Sequence, residues 1–366
     1  MSKRLPISWL FLRIACVAGL GWLGFIPASA QVQPPPRSPE QNPPAVQHPD
    51  FPESPLTSTA VPASEAPTTE WTFHKTSDNV HPDGQEQQMV WLMNRARSNP
   101  HAEGVWLANS DDPDIAGGRD YFGVNKTMLQ NAFDGYSAKP PAAFDNRLYS
   151  AAKAHSDYMI SIDQQTHSGQ STRLAASGFN CNAWTGIVFA YADSGLNAHA
   201  AFNIDWGGSN GGMQEPPGHR YAIMAVGGDY TNAGLAVVYE NNGSTEVGPY
   251  VTTGNLCHAS NVTNHYNQFI VGTVWKDNDW DGMYDPNEGL GGVTVMPDAG
   301  TYYAITSNSG GYTIPITMAA GNHQVTFSGS GINDVKSVSI GSVSVLLDYI
   351  FAPVFTDWVY LPVVRK

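Results

Sequence analysis

The chain is short of cysteine, of charge and above all of positive charge. Of its 366 residues three are cysteines and 14% are charged, with 18 Lys and Arg against 32 Asp and Glu. Neutralising a phosphate backbone takes clustered Lys and Arg, so this balance excludes a nucleic-acid surface. Beyond the first 30 residues no stretch reaches the roughly 18 uninterrupted apolar residues of a membrane-spanning helix. The most apolar late segment, Val343–Val364, is broken by Asp348 and Asp357, so no stable membrane insertion of the mature chain is expected. Two sequence devices of catalysis are also missing. Ser168 follows His167, but no G-x-S-x-G elbow surrounds it. Gly207-Gly208-Ser209-Asn210-Gly211-Gly212 lacks the Lys and the strand-to-helix setting of a phosphate loop.

The N-terminus carries a secretory pattern. Lys3 and Arg4 precede a long apolar run broken only by Arg13, and Ala28-Ser29-Ala30 forms an A-x-A cleavage site before Gln31. Residues 1–30 are therefore read as a signal peptide. It carries three basic and no acidic residues, leaving fifteen basic against 32 acidic residues, a net charge of −17. Cys16 leaves with the signal. Cys181 and Cys257 remain, and an exported chain with an even count can form one disulfide. The sequence does not say whether they pair. Eleven prolines fall within residues 31–70, a composition that buries no core, and 31–78 is read as an extended linker.

Two domains are expected in the remainder, giving an α+β chain. In 79–256, Asp83 and Glu86 have the spacing of a capping box ahead of a helix through Met89, Leu92, Met93 and Ala96. That helix stops before Pro100, and 101–141, rich in Gly, Asp and Asn, is read as a long insertion. Leu148, Ala152, His155 and Met159 share one face of a second helix, and a third covers about 196–206. Pro216-Pro217-Gly218-His219 opens a short one. Strands at 234–240 and 246–252 flank Asn241-Asn242-Gly243, a hairpin signal. After a linker at 257–267, residues 268–351 hold short β-rich runs separated by Gly- and Asn-rich turns, the pattern of a β-sandwich. Residues 352–366 form a tail.

The most specific local pattern is Asp277-Asn278-Asp279-Trp280-Asp281-Gly282-Met283-Tyr284-Asp285-Pro286-Asn287-Glu288. It has the full spacing of an EF-hand-type calcium loop. Asp277, Asp279 and Asp281 stand at positions 1, 3 and 5, and Gly282 stands at the sharp turn. Met283 would contribute its backbone carbonyl, Asp285 a contact often made through water, and Glu288 the bidentate closing carboxylate.

Met89–Arg97, Leu148–Met159, Thr166-His167-Ser168-Gly169 and Pro217–Met224 fall in an order that resembles the bacterial branch of the CAP superfamily, the cysteine-rich secretory, antigen 5 and pathogenesis-related 1 group. The resemblance implies an α-β-α sandwich with an open cleft. The calcium loop, Gly289–Val295 and Ser309–Thr313 resemble the B-type repeat of bacterial Ser-Asp-repeat surface proteins, implying an all-β, Ig-like calcium-binding sandwich. CAP clefts usually gather two His and two Glu. By motif His167 and His219 match the histidines, and Glu215 is the nearest acidic candidate. Ile187 stands where a Glu is usual, and Asn232 occupies another acidic place. His155 is either a cleft-lining residue or a satisfied core histidine. His167, His219 and Glu215 could hold zinc with an open fourth position, but the incomplete acidic set argues for binding over catalysis. The expected function is that of a secreted or extracellular protein, perched at the cell surface or free, whose cleft takes a small apolar ligand, a peptide or a partner protein. The alternatives are a structural or adhesive surface protein and a metal-dependent hydrolase of peptide or cell-wall bonds.

Overall fold

The computed structural model describes residues 66–351 except 209, 210 and 242. The signal peptide, most of the proline-rich linker and the tail lie outside these residues. The chain is α+β, with eight α-helices and thirteen strands in three sheets among the described residues. No helix there is long and apolar enough to cross a membrane.

The capping box forms as its sequence requires. Glu86 N donates to Asp83 Oδ1 at 3.0 Å, Asp83 N donates to Glu86 Oε2 at 2.9 Å, and α1 runs Gly84–Ser98. The expected insertion at 101–141 is instead three helices, α2 (Pro100–Asn109), α3 (Pro113–Tyr121) and α4 (Lys126–Asp134). Asn99, Asp112 and Asn125 cap them through their side chains, and two of the prolines sit in a first turn, where the missing N–H costs nothing. Their glycines are packing sites as well. A Cβ on Gly104 would meet Phe133 at 2.5 Å, and one on Gly118 would meet Trp206 at 2.6 Å.

After β2 (Ala143–Phe144) come α5 (Asn146–Ser161), α6 (Gln170–Ala175) and β3 (Cys181–Ala192), the last unforeseen in the sequence. Then follow α7 (Gly195–Ala200), a π-helical turn over Ala201–Asp205, and α8 (Gly218–Ile223). β4 (Asn232–Tyr239) and β5 (Tyr250–Ala259) pair antiparallel, with Tyr239 opposite Tyr250. The connection around Asn241-Asn242-Gly243 is thus longer than a tight hairpin turn. The sheet order is β2-β4-β5-β3. Cys181 and Cys257 join β3 to β5 as a disulfide, with Cα atoms 5.6 Å apart. β5 therefore extends into the expected 257–267 linker, and Asn267 holds Ala259 through two side-chain hydrogen bonds.

The second domain stacks two sheets on a shared core that includes Ile270, Val295, Ile314, Val325, Phe327 and Ile340. One sheet centres on β6 (Phe269–Trp275). The other contains β7 (Thr294–Pro297) and β8 (Tyr302–Ile305). β9 (Gly311–Pro315) pairs with β6, while β10 (Gly321–Gly329) pairs with β7 and β11 (Ile332–Ile340). Two short strands, β12 (Val345–Leu346) and β13 (Tyr349–Ile350), both run parallel to β6.

The linker expected over 31–78 ends earlier than its composition suggested. Within residues 66–78, β1 (Thr69–Glu70) adds a parallel edge strand to β8. Trp71 is buried against Phe73, Tyr266 and Tyr302. His74 Nε2 and Lys75 Nζ both bond the Ile305 carbonyl. The segment before the first domain thus completes the sheet of the second.

Candidate functional site

Two sites were expected, and the structure treats them differently. The acidic loop follows β6 and is closed at its base by Lys276 N donating to Glu288 O at 2.9 Å and by a bridge between Trp275 and Gly289. Within it, ligand-capable oxygens of Asp277, Asp279 and Asp281 lie within 4.8 Å of one another. Backbone amides fix the carboxylates. Trp280 N and Gly282 N donate to the two Asp277 oxygens at 2.6 and 3.0 Å, and Met283 N donates to Asp281 Oδ1 at 2.7 Å. Asn278 N and Asp285 N donate to the two oxygens of Glu288 at 2.6 and 2.9 Å. Gly282 has φ +75°, with open space where a Cβ would go. Its demand is conformational, which is the reason for glycine at the sixth position.

The electrostatics of the loop are unfavourable as it stands. Asp281 and Asp285 are each pushed up to about 6, first by desolvation and then by neighbouring carboxylates. Desolvation also raises Glu288. Among the described residues no Lys or Arg forms an ion pair with any of them. Converging, backbone-oriented carboxylates without a counter-cation fit a hard divalent ion.

The cleft gathers fewer groups than its resemblance implied. His219, in the first turn of α8, has its Nδ1 2.8 Å from Asp205 Oδ1, and its backbone N donates to Asp205 Oδ2 at 3.0 Å. Asp205 is fully buried at the end of the π-helical turn, with φ +55°. Asp205, and not the exposed Glu215, is thus the carboxylate on His219. No local pattern announces it, because the two residues are fourteen positions apart and meet only through the turn and loop between them. With Nδ1 engaged by Asp205, Nε2 is the other polar atom of the ring. It makes no hydrogen bond among the described residues. His219 helps line a cavity of about 20 Å³ together with Gln165, Phe189, Phe202, Trp206 and Gln214.

His167 sits close enough to His219 for their charges to interact. Its pKa is lowered, chiefly by burial and also by His219, against a raising hydrogen bond from Gln170. Its Nδ1 lies 2.8 Å from Gln170 Oε1, and Gln170 is anchored by Gly254 O and Asn255 Oδ1. His155 also lies close enough to His167 for their charges to interact. It is a satisfied core histidine, with Nε2 2.7 Å from Thr166 O and its pKa lowered to about 4, mainly by desolvation. Ile187 is 1% exposed within the main apolar core. On β3 it is the preceding residue, Gly186, that faces Gln170, since a Cβ there would meet its amide at 2.6 Å.

No family model matches the chain, and no curated protein matches it. Among solved structures the chain is similar to an extracellular protein containing a SCP domain from Bacillus anthracis str. Ames. The identity is 16% over 41% of this chain and 45% of that one, with a TM-score of 0.26. The match spans less than half of either chain.

Proposed function

We propose that this chain is a secreted binding protein whose CAP-like domain offers an aromatic cleft beside His167 and His219, and whose Ig-like β-domain carries one calcium ion. The observation that carries the cleft reading is Ile187. Where a second acid would be needed to hold a metal or to deprotonate a water, an apolar side chain is buried in the core. Zinc does not fit what remains. A catalytic zinc site takes three protein ligands, and the cleft presents two imidazoles. The groups of three metal-capable side chains among the described residues lie elsewhere, at His81, Asp83 and Glu86 and at Asp277, Asp279 and Asp281. An apolar ligand or peptide side chain is the guest that the aromatic lining favours, with His219 Nε2 as the polar contact that orients it.

The water-sized cavity favours the second reading, a structural surface protein with no small guest. One experiment separates the readings on the full chain. Titration with an anilinonaphthalene sulfonate probe should give one site per chain, lost in Phe189→Glu and indifferent to zinc. Absence of probe binding would support the structural reading. One-to-one zinc binding abolished by His167→Ala/His219→Ala would return the cleft to metal chemistry.

The calcium reading rests on the loop's full ligand pattern and on its converging carboxylates. Calcium binds the folded loop and not the open chain, so at a hundredfold excess over its dissociation constant it should add about 2.7 kcal/mol. Scanning calorimetry of the full chain should show a melting temperature lower by several degrees in chelator. Asp277→Ala should erase the difference. Superimposable wild-type curves with and without chelator would refute the reading.

A further inference from the structure

The two halves of the acidic loop are held by different parts of the molecule. Asp279, Trp280, Asp281 and Gly282 are exposed, with Trp280 at 67%, and they are ordered by hydrogen bonds within the loop. The second half is docked on α1 of the other domain. Gln88, buried on α1, donates its Nε2 to Asp285 Oδ1 at 2.9 Å and to Tyr284 O at 3.3 Å. A Cβ on Gly84 would stand 3.0 Å from Pro286 Cα, so the loop lies directly on the first turn of the helix. Arg95 Nη1 is 3.4 Å from Met283 Sδ. Tyr284 is fully buried in a cluster with Trp91, Leu92 and Trp275 that spans both domains.

From this arrangement we infer that Gln88 is a positioning residue for the calcium loop, and that ion binding and the seating of α1 on the β-domain are one linked equilibrium. The inference rests on the calcium reading above. A cation must draw ligands from both halves of the loop at once. Asp277, Asp279 and Asp281 come from the exposed half. The Met283 carbonyl, Asp285 and Glu288 come from the half next to α1. Gln88 fixes one oxygen of Asp285 and the carbonyl beside it, so the helix holds part of the ligand set in place before the ion arrives. Linkage makes the effect reciprocal. If α1 raises the affinity for calcium, calcium strengthens the hold on α1 by the same factor. The edge strand β1, which leads into the first domain but pairs with β8 of the second, and the hydrogen bond from Gln87 Nε2 to Thr273 Oγ1 at 2.8 Å keep the domains joined without the ion. Calcium would therefore tighten an existing contact and not create it.

The test uses the full chain, with calcium alone as the probe, in calorimetry and in hydrogen exchange. In the wild type, calcium should slow exchange in the loop and also in the α1 amides around residues 88–95. Gln88→Met keeps the volume and removes the donor. It should weaken calcium binding about tenfold, the worth of one hydrogen bond to a charged group, and should largely remove the protection of α1 while the loop still binds. Calcium binding with unchanged affinity in Gln88→Met, or wild-type α1 exchange indifferent to calcium, would overturn this inference and leave the calcium reading standing. No calcium heat in the wild type would overturn both. The wild-type exchange measurement needs no variant, so the linkage stands or falls on it even if Gln88→Met does not fold, and Gln88→Glu, which keeps the shape but turns the donor into a second acceptor, then tests the positioning role by the same loss of affinity.

Discussion

Ile187→Glu, the substitution that would supply the acid expected at this position from the resemblance, should destabilise the chain by about 3–5 kcal/mol at neutral pH, the scale of an unpaired charge buried in a core. Ile187 packs against Gly254, where an added Cβ would come within 2.7 Å of Ile187 Cγ1 and 2.9 Å of Leu235 Cδ2. Its surroundings in this cluster are apolar side chains such as Leu235 and Leu256. Burial would raise the folded-state pKa of the new group above its unfolded value. The folded chain would then hold a proton that the unfolded chain has released, so stability falls as pH rises through that window. The deficit relative to wild type should be smaller at pH 5 than at pH 8 in urea denaturation. A variant as stable as wild type at pH 8 would place position 187 in a solvated cleft, and would reopen the hydrolase reading.

How much could be read beforehand depended on how local each feature is. The converging carboxylates of the acidic loop were legible because they, the turn glycine and the closing Glu lie within twelve consecutive residues. The Asp83 and Glu86 capping box was legible for the same reason. Asp205 was not, since a π-helical turn and a positive φ bring it to His219. α2 to α4 were hidden because Gly, Asp and Asn count against helix interiors, while here they serve as caps and close-packing points. β11 escaped because half-buried Asp334 and exposed Val335, Lys336 and Ser337 dilute its apolar alternation. In the linker, Trp71 and Phe73 were the overlooked signal. Two aromatics so close together at the end of a proline-rich stretch are out of place in a solvated spacer, and burial explains them.

Gly234→Ala should be as damaging, by more than about 4 kcal/mol, although it adds a single methyl group. The added Cβ would lie 2.2 Å from Leu148 C and from Tyr149 N, both backbone atoms of α5. No rotamer change relieves such a clash, so the helix itself must lift from β4. The damage would not stay local. Asn255 Nδ2 donates to Leu148 O at 3.3 Å, and Ser156 Oγ donates to Thr253 Oγ1 at 2.8 Å. Tyr149 stacks on His81 at 4.9 Å, and His81 in turn lies 2.7 Å from Glu86, which completes the capping box of α1 with Asp83. A displaced α5 therefore loosens the start of the helix on which the acidic loop is seated, so one methyl group should reduce both global stability and calcium affinity. Gly117→Ala is the matched control. That glycine is exposed within α3 with nothing near its missing Cβ, and alanine there should be neutral or stabilising by up to about 1 kcal/mol. Equal urea midpoints for the two variants would mean that α5 does not bear on the sheet at Gly234.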